Sequence, residues 1–244
     1  MQNSSERKKV SFLNPIKAVL RYLRFEGSGW KKKEILWLAV SLLTVTAVSI
    51  VLGDALLGII SAAAGISAAV LTGKGKPSGY LIGTLNSVLY LIIAFNAAYY
   101  GEVLLKLLVF IPLNIVGFVL WLRHLDTKKA EVVKRRLKNR TRIGLLILLI
   151  PFVYLFGILL ANLGDPEPFI DSFTTIFSVA ALLLTVNRFA EQWWLWIVIN
   201  IFSIVLWGIN IAAGSTNYAT LLMWVVYLIN SCIMCRKWMR DSAP

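Results

Sequence analysis

The sequence contains few of the residues on which catalysis and metal binding usually depend. Only one histidine, His124, and two cysteines, Cys232 and Cys235, occur among 244 residues. A C-x-x-C pair can bind zinc or carry redox chemistry, but no second cysteine pair or histidine cluster accompanies this one. Both cysteines lie in an apolar run, so we interpret them as packing residues of a helix. We predict no metal site, no disulfide framework and no cofactor.

Acidic residues are also scarce, since 12 aspartates and glutamates stand against 25 lysines and arginines, a formal net charge of +13. In a soluble protein such an excess favours nucleic acid as the partner. Here, however, 58% of the residues are hydrophobic, the mean hydropathy is +0.75, and the basic residues are grouped between long apolar runs. We therefore expect a lipid bilayer, and not nucleic acid, as the surroundings of the chain.

Eight apolar runs approach the roughly 20 residues that a helix needs to cross the hydrocarbon core. They lie at 35–52, 55–72, 80–98, 103–122, 143–162, 169–186, 193–212 and 217–235. The run at 55–72 is the least hydropathic because it contains glycines and a string of alanines, which suit close helix packing. The sequence predicts an all-α integral membrane protein of about eight transmembrane helices.

The charges of the loops predict the orientation of these helices. With a cytoplasmic N-terminus, every lysine and arginine except Lys106 falls on the cytoplasmic side, whereas Asp54, Glu102, Asp165 and Glu167 fall outside. This asymmetry follows the positive-inside rule and predicts that both termini are cytoplasmic. Lys106 lies near the outer end of its span, where we expect its long side chain to reach the membrane interface.

Asparagines that recur at a nearly constant offset indicate an internal repeat. The pairs are Asn86 and Asn200, Asn96 and Asn210, and Asn114 and Asn230. The two units begin four spans apart and share one orientation, which predicts a 3+1+3 core of parallel repeats. The predicted divisions are a basic amphipathic cytoplasmic segment (1–34), a peripheral helix (35–53), a first repeat (54–122), a basic cytoplasmic loop with the linker helix (123–162), a second repeat (163–238) and a cytoplasmic tail (239–244).

Polar side chains within the spans predict a binding site. Four asparagines from four spans fall at similar depth, namely Asn86, Asn114, Asn200 and Asn230. An unpaired amide in hydrocarbon is costly, so these amides have partners, either one another's helices or a ligand. The two interpretations are a pocket for a flat ring with hydrogen-bonding groups and, alternatively, simple helix–helix contacts.

The seventh span shows which way its amide faces. One helical stripe alternates indoles with hydrogen-bonding groups: Trp193, Trp196, Asn200, Ser203, Trp207 and Asn210. In the other spans Tyr90, Trp121 and Tyr227 share stripes with the asparagines. Trp193 lies at a span end and is also typical of an interfacial belt, whereas Trp207 lies too deep for one. The stripes favour the pocket.

Other residue patterns that the sequence lacks exclude further classes of function. No ionisable residue lies near the middle of any predicted span, and proton-coupled carriers and pumps place such residues there. The glycine–lysine segment at 73–76 lacks the spacing of a phosphate-binding loop, and no nucleophile–base pair or carboxylate dyad can be assembled. We therefore predict neither an enzyme nor an energised transporter, but a passive carrier for a small polar aromatic nutrient.

The stretch from 188 to 200, Arg-Phe-Ala-Glu-Gln-Trp-Trp-Leu-Trp-Ile-Val-Ile-Asn, resembles the signature of the bacterial nicotinamide riboside transporters, the PnuC family. Other matching segments are 83–86, 114–121 and 171–172. The resemblance covers about residues 55–238. This chain has Asn187-Arg188 where members often have a basic pair, and Gln192 where they often have Asn; both departures lie at the expected inner gate.

The resemblance implies a 3+1+3 arrangement similar to the SWEET sugar transporters. It also implies facilitated diffusion of nicotinamide riboside, a form of vitamin B3, across the bacterial cytoplasmic membrane, with trapping by a cytosolic riboside kinase. We also expect a homo-oligomer, for example a trimer. The alternatives are that the cargo is thiamine or riboflavin, or that the chain is a non-transporting membrane scaffold or a membrane-embedded enzyme.

The expected site follows from the asparagines and the aromatic stripes together. The residues expected at the substrate are Asn86, Tyr90, Asn114, Trp121, Trp196, Asn200, Ser203, Trp207, Asn210, Tyr227 and Asn230. The asparagines would bind the carboxamide and ribose, while Trp207, Tyr90 and Tyr227 would stack on the ring. Arg188 and Glu191 are expected at the inner mouth as gate or packing residues.

Overall fold

The computed structural model describes residues 26–126 and 131–242, which contain eight membrane-length apolar helices. They are α1 (Lys32–Val51), α2 (Leu56–Lys74), α3 (Ser78–Asn96), α4 (Tyr100–Arg123), α5 (Asn139–Asn162), α6 (Pro168–Val186), α7 (Gln192–Ala212) and α8 (Tyr218–Asp241). All eight predicted spans are confirmed. α8 extends to Asp241, so the start of the predicted tail is helical. Residues 1–25 of the predicted amphipathic segment (1–34) lie outside the described residues.

Short loops join most successive helices, so the helices alternate in direction. α2, for example, ends at Gly75, whose φ of 86° is a left-handed conformation that glycine adopts without steric cost. We call the end of the bundle where α1 starts and α8 finishes the basic end, because it carries the described lysines and arginines other than Lys106. The opposite, acidic end carries Asp54, Glu102 and Asp165.

The helices differ in how much of their surface is covered. α2 and α6 are the most buried; α2 packs against α3 and α8, and α6 packs against α4, α5 and α7. α1 contacts α2 and α8, whereas α5 mainly contacts α6, and both expose most of their apolar side chains. α1 and α5 are therefore peripheral, and the other six helices surround the interior.

α4 departs from regular α geometry close to its middle. Lys106–Phe110 forms a π-helical turn between two α-helical segments. Pro112 lies two residues after this turn; it has no N–H, and its ring would clash with the carbonyl oxygen of Leu108 in a regular helix. The wider turn relieves this conflict, and such turns are frequent at functional sites. The same turn carries Lys106, which is buried.

Candidate functional site

A cavity lies among the six interior helices. Its polar and aromatic walls comprise Thr72, Tyr80, Asn86, Ser87, Tyr90, Lys106, Phe110, Asn114, Thr185, Trp193, Trp196, Asn200, Trp224, Tyr227 and Ser231. Pockets for small organic ligands usually have a largely apolar lining with a few polar groups. The residues of this cavity wall match that description.

Five buried polar atoms of residues on the cavity wall have no hydrogen-bond partner among the described residues. They are Nδ2 of Asn114, Oδ1 of Asn200, the hydroxyl oxygen of Tyr80, and Nε1 of Trp193 and of Trp224. A buried polar group without a partner costs about 1–3 kcal/mol, so native proteins seldom leave one unpaired without a functional reason. Three donors, one acceptor and a hydroxyl group that can serve as either, all on one cavity wall, indicate a ligand that carries both acceptors and donors.

Neighbouring hydroxyl groups fix two of the amides. Asn86 donates from Nδ2 to the backbone oxygen of Ser61 at 2.8 Å and to its Oγ at 3.2 Å. Asn200 donates from Nδ2 to Oγ of Ser231 at 3.0 Å. Each amide thus uses its NH₂ group to join two helices and keeps its oxygen free of a described partner. Both oxygens remain available to accept a hydrogen bond from a ligand.

The structure brings six of the residues expected at the substrate to the cavity wall. They are Asn86, Tyr90, Asn114, Trp196, Asn200 and Tyr227. The other five do not line it. Trp121 instead donates from Nε1 to the backbone oxygen of Thr185 at 3.0 Å, and Ser203 is buried farther along α7. A direct contact with a cavity ligand is therefore not supported for Trp121 or Ser203.

Trp207, Asn210 and Asn230 also lie away from the cavity. The indole of Trp207 lies behind Tyr90, fully buried, and donates to the Tyr90 hydroxyl at 2.8 Å. Asn210 accepts a hydrogen bond from Asn217 at 3.0 Å near the acidic end. Asn230 donates to the backbone oxygen of Ala69 at 3.1 Å. Trp207 thus fixes the wall residue Tyr90 from behind. Asn210 bonds to the residue before α8, and Asn230 joins α8 to α2.

Lys106 overturns two expectations. The sequence-based prediction that the cavity wall has no ionisable group was wrong, because Lys106 lines the cavity, and the expectation that its side chain reaches the interface was also wrong. Only 5% of its surface is exposed, and Nζ lies 3.5 Å from Oε2 of Glu102, one turn earlier. This carboxylate and the nearby rings of Tyr90 and Phe110 compensate the buried charge.

Several aromatic wall residues were not singled out for the site from the sequence. Tyr80, Phe110 and Trp224 line the cavity, and so does Trp193, which also matched the pattern of an interfacial belt. A signal for Trp224 was its position three residues before Tyr227, on the same face of α8. A signal for Phe110 was its spacing of four residues from both Lys106 and Asn114.

Comparison with known proteins identifies the family. A family model described as nicotinamide mononucleotide transporter matches residues 55–240. The chain belongs to this family. The nicotinamide riboside transporter PnuC of Neisseria mucosa is 36% identical over 209 residues, which cover 83% of this chain and 79% of that protein. The protein of the same name from Haemophilus influenzae is 32% identical over 213 residues, covering 86% of this chain and 91% of that protein.

A solved structure agrees with this assignment. The crystal structure of the vitamin B3 transporter PnuC matches with a TM-score of 0.81 at 33% identity, covering 93% of this chain and 97% of that one. The family resemblance inferred from the sequence is confirmed. The chain is accordingly a multi-pass membrane transporter and not an enzyme.

At the basic end of the transporter, a segment that we call the strap, residues 131–137, runs between the α2–α3 and α6–α7 loops. The backbone N–H of Val132 donates to the oxygen of Gly75 at 2.9 Å, and that of Arg135 donates to the oxygen of Arg188 at 2.9 Å. The first two residues of the strap, Glu131–Val132, pair antiparallel with Leu125–Asp126. The strap therefore connects loops from both halves of the chain.

Charged groups hold the strap in place. Glu131 lies 2.9 Å from Nζ of Lys74 and 3.7 Å from Nζ of Lys237. Burial alone raises the pKa of Glu131, but the hydrogen bond from Lys74 and the nearby lysine charges outweigh it and bring the pKa below its ordinary value. Glu131 is consequently ionised at neutral pH and anchors the strap as a carboxylate.

The two residues expected at the inner mouth both contact the strap region. Arg188, at a positive φ of 66°, donates from its side chain to the backbone oxygen of Val133 at 3.2 Å. Buried Glu191 accepts from the N–H of Leu137 at 3.1 Å and from Nη2 of Arg142 at 2.6 Å. Neither lines the cavity, so we interpret them as residues that fix the strap.

Glu191→Ala should loosen the strap. The substitution removes the acceptor of Leu137 and the partner of Arg142, and hydrogen bonds to a charged group contribute about 1.5–3 kcal/mol each. We expect a lower melting temperature of the detergent-solubilised protein and faster proteolysis at residues 131–137. Arg240→Ala is the matched control, because its ion pair with Asp241 is exposed and contributes less than about 1 kcal/mol. Equal effects of both variants would contradict this role of Glu191.

Proposed function

We propose that this transporter carries nicotinamide riboside. Relatives that cover most of the chain have this substrate in their names. The observation that carries the proposal is an unpaired donor on Asn114 together with an unpaired acceptor on Asn200 in one aromatic-walled cavity. A carboxamide offers the complementary acceptor and donor, and a pyridinium ring is flat enough to lie against aromatic side chains.

The rest of the wall suits the rest of the molecule. Because Ser61 engages the NH₂ group of Asn86, Oδ1 of this residue is available for a ribose hydroxyl. Tyr90 and Tyr227 present rings to the cavity, and Trp207 fixes Tyr90 by a hydrogen bond at 2.8 Å. A positively charged ring on an aromatic face gains about 0.5–2 kcal/mol. Trp207 would then act on the substrate only through Tyr90.

The proposed mechanism is facilitated diffusion. The absence of ionisable groups from the cavity no longer supports it, since Lys106 is present. What supports it is that Lys106 on the cavity wall already has a counter-charge on its own helix, in Glu102 at 3.5 Å. A facilitator only equalises concentrations, so net uptake would require that a cytosolic kinase phosphorylates the imported riboside.

The proposed architecture is a pair of parallel three-helix repeats, as in SWEET proteins. Its support is that the first helix of each unit packs against the third helix of the other, α2 against α8 and α6 against α4. We further propose that the basic end faces the cytoplasm of a bacterial cell, which the positive-inside rule favours. Assembly into a homo-oligomer such as a trimer belongs to the same proposal.

Uptake into proteoliposomes that contain only this protein tests the proposed function. Radiolabelled nicotinamide riboside should enter until its inside and outside concentrations are equal, and an imposed proton or sodium gradient should not raise this level. Thiamine and riboflavin serve as comparison substrates. Absence of riboside flux with folded protein, faster flux of another vitamin, or accumulation driven by an ion gradient would each contradict the proposal.

A further inference from the structure

Three aromatic rings surround the ammonium group of Lys106. Nζ lies 4.0 Å from the ring centre of Phe110, 4.6 Å from that of Tyr90 and 6.0 Å from that of Trp224. We call these three rings the aromatic cage. A cation within about 6 Å of an aromatic ring centre is attracted by the negative face of the ring. All three rings line the cavity, so the cage belongs to the same space that would receive the substrate.

The ammonium group has a second set of partners towards the acidic end. Oε2 of Glu102 lies 3.5 Å from Nζ, and Glu102 is almost fully buried. Beside it lies Asp171, also buried, which accepts from the backbone N–H of Gly101 at 2.8 Å. The Thr174 hydroxyl lies 2.9 Å from the backbone oxygen of Asp171 and 3.4 Å from Oε1 of Glu102, so it lies between the two acidic residues. Two buried acidic groups therefore lie behind a single lysine.

We propose that the cage is the site for the positively charged ring of the cargo and that the Lys106 ammonium is a built-in competitor for it. The proposal rests on the proposed function, because it requires a cationic cargo. In the empty transporter the ammonium fills the cage. When the cargo enters, the flexible side chain withdraws to Glu102 and Asp171, since two cations in one cage repel each other.

This arrangement would matter for transport as well as for binding. A carrier must release its cargo after moving it. When the ammonium group of Lys106 returns to the cage, it shortens the time for which the cargo stays bound there. The competitor acts most strongly on cationic cargo, because a neutral ring is not repelled by the ammonium. Lys106 is therefore a determinant of how the site discriminates between charged and neutral forms of one ligand.

Binding of two forms of one ligand tests the inference. Isothermal titration calorimetry of the purified transporter would compare nicotinamide riboside, whose ring is cationic, with its neutral 1,4-dihydro form. In Lys106→Met the affinity ratio of the cationic to the neutral form should rise by about tenfold over the wild type, the size expected of one cation–π contact. An unchanged or lower ratio would overturn the inference.

A double variant separates competition from the charge left on Glu102. In Lys106→Met an unpaired Glu102 could itself attract a cation or prevent folding. The double variant Glu102→Gln/Lys106→Met buries no charge from this pair, and the ratio should still exceed that of the wild type. A ratio that rises in the single variant but returns to the wild-type value in the double variant would overturn the inference in favour of simple attraction by Glu102.

Lys134→Met is the matched control. Lys134 is also buried beside an aromatic ring, with Nζ 5.4 Å from the ring centre of Trp238 and 3.2 Å from Glu131, but it lies at the basic end and does not line the cavity. In Lys134→Met the ratio of the affinities for the cationic and the neutral form should equal that of the wild type. Failure of the wild type to bind the riboside would overturn the proposed function as well, whereas binding with unchanged ratios would overturn only the competitor.

Discussion

Simultaneous replacement of Asn114 and Asn200 by alanine should weaken nicotinamide riboside binding by about a hundredfold. Each substitution removes an unpaired, buried amide atom of the cavity wall and leaves one end of the carboxamide without a partner. A buried polar group without a partner costs about 1–3 kcal/mol, so the pair should cost roughly 3 kcal/mol. Calorimetric titration of the purified protein measures the change directly.

Asn210→Ala provides the control for this double variant. Asn210 was expected at the substrate from the same helical stripe, yet its amide oxygen accepts from Asn217 near the acidic end. Its replacement should leave the dissociation constant unchanged within a factor of about two, while the melting temperature reports any loss of folding in all variants. If Asn210→Ala weakened binding as much as the double variant, the assignment of the site to the cavity would fail.

The comparison of Asn200 with Asn210 illustrates what periodicity can predict. The spacing on α7 correctly identified the face that points into the bundle, because residues three and four apart share one side of a helix. It could not identify the depth of the cavity along that face. Trp196 and Asn200 line the cavity, whereas Trp207 lies behind the side chain of Tyr90 from another helix. That depth depends on contacts between helices, which one helix does not encode.

The repeat-related asparagines differ for a similar reason. Asn114 lines the cavity with an unpaired Nδ2, but Asn230 donates to the backbone of Ala69 and accepts from Nε1 of Trp37 at 3.4 Å. Trp37 belongs to α1, which packs against α8 and lies outside the predicted repeat. A helix added to one unit only gives equivalent residues different partners, and the sequence offset alone could not reveal this.

The burial of Lys106 was not predicted, because its position near the outer end of the apolar run was taken to mean that its side chain reaches the membrane interface. The helix begins at Tyr100, earlier than the apolar run suggested, and the π-helical turn at Lys106–Phe110 changes the direction of the side chains that follow. Two signals were present in the sequence. Glu102 and Lys106 are four residues apart, a spacing at which opposite charges pair on a helix, and Pro112 predicts a disturbed turn before it.

Gly65→Ala should impair transport while leaving the fold intact. Gly65 lies in α2, and a Cβ atom there would lie only 2.1 Å from the Tyr227 hydroxyl, 2.7 Å from Sδ of Met223 and 2.8 Å from Nδ2 of Asn86. All four residues line the cavity. Insertion of one methyl group into such a packed region costs about 1–3 kcal/mol and forces the neighbouring side chains to shift.

The side chains that must move belong to the cavity wall, so the substitution should disturb the cavity more than the general packing between helices. The rigid phenol ring of Tyr227 cannot avoid the methyl group by a change of its hydroxyl alone, so ring and amide move together into the substrate space. We expect riboside uptake into proteoliposomes to fall at least about tenfold, the change that corresponds to 1.4 kcal/mol.

Gly208→Ala is the control, because a Cβ atom at Gly208 in α7 meets nothing within 4 Å and alanine favours the helix. Normal uptake by Gly65→Ala would mean that the substrate does not occupy the space beside Tyr227 and Asn86, and equal loss in both variants would point to a general sensitivity of the bundle to added methyl groups.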